Sequence, residues 1–318
     1  MKINMVTGDD LDAARVGFHA AFLGSMELIG PDPLEELYTT VPSNAPFEQW
    51  EWLGDLPGFE EWKGDRKLGG IDQFSLRIEN KDWSSGIRIH QNQLADNRTG
   101  MLRVRIDQLA QKARRHRTDL MVKALINGFT GLAYPETGNG IGYDGAFFFS
   151  TTHQAPGYSA TLSNKLTLPL DADGVALETA TQMLGAMTSY DGTETLDLAG
   201  TTLIVGPKLQ FVAERLMAQE FLANGESNIH RNRFKVLVSR RLVGAYDDYW
   251  FLADLSAPVK PMIFQMREEI STSAIVGDKG GTNDSMPRFT RGELWFGAEA
   301  RYNVGYFEHR VIVGSQVA

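Results

Sequence analysis

The chain has 318 residues, 42% of them hydrophobic and 22% charged, a balance that permits a sizeable buried core and argues against intrinsic disorder. It contains no cysteine, which excludes disulfides, thiolate metal sites and cysteine nucleophiles. The formal net charge of −9 disfavours sequence-specific nucleic-acid recognition.

The start, MKINMVTGDDLD, carries three acids and no long apolar run, so it is read as neither a secretory signal nor a membrane anchor. Residues 11–23 form a helical candidate. Pro31, Pro33, Pro42 and Pro46 then interrupt regular structure, so residues 1–46 are expected to be either an extended arm or an ordinary helix with a loop. Residues 47–96 hold Trp50, Trp52, Trp62 and Trp83, four of the six tryptophans. Within them Phe74, Leu76 and Ile78 alternate with polar residues, and so do Ile87 and Ile89, the period of a half-buried strand; a long β-hairpin or loop, rich in aromatics, is expected.

The strongest helical pattern runs over 101–127, where Leu102, Ile106, Leu109, Ala113, Leu120 and Ala124 recur at helical spacing and Asn127–Gly128 supplies the stop. At 1.5 Å per residue this is a rod of roughly 40 Å. A glycine-rich loop follows, with the apolar cluster 147–149. From Asp171 the pattern becomes mixed, with helices expected at 175–188 and, just after Pro207, at 208–222. Strands are expected at 201–205, 234–238, 249–252, 259–266, 293–302 and 304–313, with a loop at 277–287. The fold class is α+β, and the length suits two intertwined lobes.

Chemistry-bearing motifs are sparse. The histidines at 19, 90, 116, 153, 230 and 309 show no metal-ligand spacing, and Ser150 and His153 lack a nucleophile elbow, so His153 is read as a structural loop histidine. The GNGIG loop at 138–142 lacks both the preceding strand and the lysine of a phosphate cradle. The adjacent acids Glu60–Glu61, Asp247–Asp248 and Glu268–Glu269 are read as solvated faces. No catalytic, cofactor or metal residue is singled out, and since remote residues can converge in space the motifs alone leave a hydrolase open.

The segment WEWLGDLPGFEEWKGDR at 50–66 resembles the Mu-like prophage major head subunit family. The stretches FSLRIENKDWSSGIRIHQNQLAD (74–96), YDGAFFFSTTH (143–153), TLIVGP (202–207) and ARYNVGY (300–306) follow in the order that family would show. The resemblance implies the Hong Kong 97-type capsid fold of tailed bacteriophages. On that map residues 1–46 are an N-terminal arm, 47–96 an extended β-hairpin loop, 97–171 a peripheral domain with a long spine helix, 172–256 an axial domain, and 257–318 strands returning to the peripheral domain. It also implies self-assembly, as hexamers and pentamers, into an icosahedral shell in the host bacterial cytoplasm. Portal, scaffold and decoration proteins are its possible partners; no cofactor and no membrane is involved, and packaged double-stranded DNA is contacted non-specifically at most. An encapsulin-like nanocompartment and an uncharacterised intracellular α+β enzyme are the alternatives.

Two charge blocks stand out. Residues 47–61 carry five acids and no base, whereas 103–117 carries Arg103, Arg105, Lys112, Arg114, Arg115 and Arg117 against Asp107. The basic helix either touches packaged DNA, pairs with a neighbour's acids, or is a solvated face. The expected subunit contacts are Trp50, Trp52, Glu60, Glu61, Trp62, Asp65 and Arg66 of the loop with Arg103, Arg114, Arg115 and Arg117 of the helix. The loop at 50–90 is expected to project from the body.

Overall fold

The computed structural model describes residues 8–52, 74–95, 99–130, 142–154, 161–221, 225–276 and 286–317. In chain order these form α1 (Gly8–Leu28), β1 (Tyr38–Pro42), β2 (Phe47–Trp52), β3 (Phe74–Glu79), β4 (Lys81–His90), α2 (Gln91–Ala95) and α3 (Thr99–Asn127). Next come β5 (Lys165–Leu166), α4 (Val175–Gly185), β6 (Thr202–Val205), α5 (Gln210–Ala218), β7 (Lys235–Val238) and β8 (Trp250–Ala253). The last are β9 (Met262–Ile275), α6 (Met286–Arg291), β10 (Glu293–Tyr306) and β11 (Ile312–Ser315). The chain divides into two compact units, each drawn from three separated stretches: 1–32, 80–118 and 266–302 in the first, and 33–79, 119–265 and 303–318 in the second.

In the first unit three periodicities converge on one core. Phe18, Ala21 and Phe22 share a face of α1, Ile106, Leu109 and Ala110 share a face of α3, and Leu294, Phe296 and Ala298 alternate along β10; all are buried together. The Phe18 and Phe296 rings lie 4.8 Å apart. Full burial of each large apolar side chain contributes about 1.5–3 kcal/mol. β10 pairs antiparallel with β4 from Glu293↔His90 to Tyr302↔Lys81.

The second unit is built on a five-stranded sheet in the order β5-β11-β8-β6-β7. All four residues of β6, β8 and β11 are buried, and the sequences TLIV, WFLA and IVGS are accordingly short runs without polar alternation. Leu177, Ala180 and Leu184 of α4 and Ala213, Leu216 and Met217 of α5 close its core with Leu203, Trp250, Leu252 and Val313. In β11 a side chain at Gly314 would meet Phe129 Cζ and Phe149 Cε1 at 2.8 Å, so this position is held to glycine by the stacked Phe129–Phe149 pair.

Several elements differ from their sequence expectation. The two alternating runs at 74–78 and 87–89 do not pair with each other: β3 pairs with β2, from Phe47↔Glu79 to Trp52↔Phe74, whereas 81–90 joins β10. α5 begins at Gln210 and ends at Ala218, short of 222, because the buried Asn228 amide donates to Leu216 O at 2.7 Å and Gln219 O at 2.9 Å and terminates it. The expected strands 293–302 and 304–313 are instead β10, continuous to Tyr306, and the separate β11. The loop expected at 277–287 and the projecting tip of the 50–90 loop fall largely outside the described residues. Among the described residues no helix is long and apolar enough to cross a membrane.

Candidate assembly interface

The six cations that residues 103–117 place on α3 are not equivalent. Arg103 lies 3.4 Å from Asp107, the acid of the segment, and Asp107 also accepts from the buried Ser25 hydroxyl. Arg117 sits with its guanidinium 5.8 Å from the Tyr302 ring centroid, beside a cluster in which Trp83 Nε1 donates to Tyr302 O at 2.9 Å and His116 Nδ1 lies 2.9 Å from Tyr302 Oη. Arg114 is half-buried. Arg105, Lys112 and Arg115 are exposed, and at about 100° per residue they fall within roughly 80° of one another on the helix, on an arc that starts about 40° from the buried Leu109 and lies farther from the buried Ile106 and Ala110. Within this arc lies Gln108, whose Oε1 accepts from Arg105 at 3.3 Å, and Gln111 lies about 40° beyond its edge.

The acidic, tryptophan-rich segment is partly engaged with its own chain. Glu48 Oε1 accepts from Ser43 Oγ at 2.8 Å, Asn44 N at 2.9 Å and Ala45 N at 3.1 Å, closing the turn between β1 and β2. Trp50 is half-buried and its Nε1 donates to Gln265 Oε1 at 3.0 Å, while Gln265 Nε2 donates to Ile78 O. Glu60, Glu61, Trp62, Asp65, Arg66 and the side chain of Trp52 lie outside the described part. Asp247 and Asp248, expected to be merely solvated, both hold Lys208, at 3.2 and 2.6 Å.

A buried polar cluster in the second unit carried little sequence signal. Asn164 is fully buried and its Nδ2 donates to Phe148 O at 2.9 Å and His309 O at 3.0 Å. That fixes Oδ1 as an acceptor, facing Ser150 N at 3.0 Å and His153 Nε2 at 3.1 Å, so His153 carries a proton on Nε2. On its other side His153 Nδ1 lies 2.6 Å from Asp144 Oδ2. Burial pushes the Asp144 carboxyl up, but the hydrogen bond and charge of His153, with His309 and the Ala146 N–H, hold it below the ordinary range. The His153 and His309 rings stack at 3.8 Å and 19°. Burial, then the charges of His153 and Arg310, hold His309 well below the usual imidazole range against the pull of Asp144.

Asp144, His153 and His309 place potential ligand atoms within 4.8 Å of one another. Imidazole lone pairs lie in the ring plane, and two rings stacked nearly parallel cannot aim them at one ion, so the geometry does not suit a shared metal. Nor does it suit catalysis: His153 is fully buried, and its Nε2 donates to Asn164 instead of activating Ser150. The cluster ties residues 144–153, 164 and 309 together. DxxxxxxxxH within YDGAFFFSTTH was visible in the sequence, but nothing pointed to His309.

Similar solved structures define the class. The procapsid of bacteriophage JBD30 is 20% identical, with a TM-score of 0.54 over 96% of this chain and 75% of that one. The capsid of an empty GTA particle is 13% identical, with a TM-score of 0.56 over 93% and 97%. A virus-like particle from Pyrococcus furiosus is 12% identical, with a TM-score of 0.52 over 94% and 98%. The fold is that of Hong Kong 97-type capsid subunits.

The model of the Mu-like prophage major head subunit gpT family matches residues 11–175, 163–242 and 238–318, and the chain belongs to that family. The Mu-like prophage FluMu major head subunit of Haemophilus influenzae is 32% identical over 148 residues, which is 46% of this chain and 45% of that protein, so the match spans less than half the length of the relative.

Proposed function

We propose that copies of this chain self-assemble as the major capsid protein of a Mu-like tailed bacteriophage or prophage, closing into the icosahedral shell around the genome. The observation that carries the reading is a family match reaching from residue 11 to residue 318. The shell forms from hexamers and pentamers in the host bacterial cytoplasm and ends in the virion, with portal, scaffold or decoration proteins as partners. In this reading 1–46 is the arm, 47–96 the extended loop, 97–171 and 257–318 the peripheral domain, and 172–256 the axial domain.

The subunit contacts are Trp50, Trp52, Glu60, Glu61, Trp62, Asp65 and Arg66 of one copy against the Arg103, Arg114 and Arg117 flank of α3 in the next. Arg115, expected with that flank, stands by its helical angle with Arg105 and Lys112. Electron microscopy of the purified protein tests the reading: closed particles of uniform size are expected, and a protein that stays unassembled under all solution conditions refutes it. Cargo protein in place of nucleic acid inside phage-derived particles assigns the shell to a nanocompartment.

A further inference from the structure

Resting on the reading of the chain as a shell subunit, we infer that the outward stripe Arg105, Lys112 and Arg115 of α3 is a sequence-independent contact for the phosphate backbone of the packaged double-stranded DNA. Four observations carry it. The three cations are exposed and share one arc of the helix, while Ile106, Leu109 and Ala110 anchor a neighbouring face in the core. Asp107 lies about 80° outside the arc and is held by Arg103 and Ser25, and Asp119, which follows Arg115 by one turn, is held by Arg241, so the stripe is positive in a chain whose net charge is −9. Gln108 within the arc and Gln111 beside it offer neutral polar groups and no aromatic surface, which suits phosphate oxygens and not stacked bases. Finally, Glu48 of the acidic segment that would compete for the stripe from a neighbouring copy has its carboxylate committed to the turn at Ser43–Ala45.

The dimensions agree. Ten residues separate Arg105 from Arg115, about 15 Å of helix, which spans about four phosphates at 3.4 Å per charge along one DNA strand. Three cations therefore meet three to four phosphates without bending the duplex, and a long-range field of this sign, repeated on every subunit, holds the polymer loosely and at no fixed register.

The test measures binding of the full-length chain to a short fluorescent duplex of arbitrary sequence by anisotropy, alongside electron microscopy of particle formation. Three phosphates neutralised give a slope of about −2.7 in log affinity against log salt, so affinity should fall about 40-fold from about 50 to about 200 mM salt. In the variant R105Q/K112Q/R115Q binding at low salt should collapse and the slope approach zero, with circular dichroism and particle formation kept. The charge-preserving variant R105K/K112R/R115K should bind as the parent does. The inference is overturned by a neutralised variant that keeps the parent slope, by a charge-preserving variant that loses binding, or by a parent without salt-dependent binding. It is also overturned if neutralisation abolishes particles and leaves DNA binding intact, which assigns the stripe to the acids of a neighbouring copy. A parent that binds DNA yet never forms particles keeps the contact and sinks the shell reading, so the two failures are distinct.

Discussion

Replacing Asn164 by alanine should open the second unit locally. The amide makes four contacts, donating to Phe148 O and His309 O and accepting from Ser150 N and His153 Nε2. Its removal leaves two carbonyls, one amide N–H and one imidazole N–H without partners in a fully buried place. Each unmet buried group costs about 1–3 kcal/mol, and with partial relief from a water entering the vacated volume the total is about 4 kcal/mol. Hydrogen exchange followed by mass spectrometry reads this directly, because loss of about 4 kcal/mol of local stability corresponds to about a thousandfold faster exchange. The acceleration should appear in residues 148–153 and 306–311 together, since one side chain ties both, and should spare α1. Exchange in either segment that stays within about threefold of the parent would refute the network as described.

Acid should weaken the same unit. His309 is held neutral in the fold with its pKa depressed, so the unfolded chain binds more protons, and stability present above the ordinary pKa of about 6.5 is lost as pH falls below it. His230, buried against Gly174, is depressed in the same sense and contributes in the same window, so the denaturation midpoint of His309→Gln should fall less steeply between about pH 7 and 5 than the parent's without becoming flat; identical pH profiles would exclude His309. A Cβ at Gly305 would meet Ile78 Cδ1 at 2.2 Å, so Gly305→Ala should destabilise by about 1–3 kcal/mol, and less in the background of Ile78→Ala; additive effects in chemical denaturation would contradict that contact. Trp62→Ala is expected to reduce particle yield in micrographs while leaving the circular dichroism of the subunit unchanged, and a normal yield argues against the loop as an interface.

Elements that bury one face were legible in the sequence, because burial of one face imposes a period: α3 through Ile106, Leu109 and Ala113, and β10 through Leu294, Phe296 and Ala298. Strands buried on both faces show no period: the expected strand 249–252 lies within one residue of β8 at each end, whereas 304–313 runs β11 together with the end of β10, and the partners of neither could be read. The pairing of β4 with β10 joins positions some two hundred residues apart and has no local signature. At the candidate interface the composition exposed a block of six cations, and the i,i+4 spacing of Arg103 and Asp107 was in view, but not that Tyr302 of β10 lies beside Arg117 or that Ser25 of α1 bonds Asp107; side-chain partners from distant elements are invisible to a count of charges. The histidine cluster was hidden for the same reason: His153 and Asp144 share a loop, whereas Asn164 and His309 reach them through the fold.

The order of strands in the second unit also sets an order in time. β11 lies between β5 and β8, so a stretch near residue 315 occupies an inner position in a sheet whose other members are made earlier. Until it emerges from the ribosome, β5 and β8 each face an empty slot, the carbonyl of His309 is missing from Asn164, and Phe129 and Phe149 have no strand to stack against. During synthesis the second unit therefore waits, half-built and with an open edge, for its last strand, and a stalled chain at this stage is a natural substrate for chaperones or proteases.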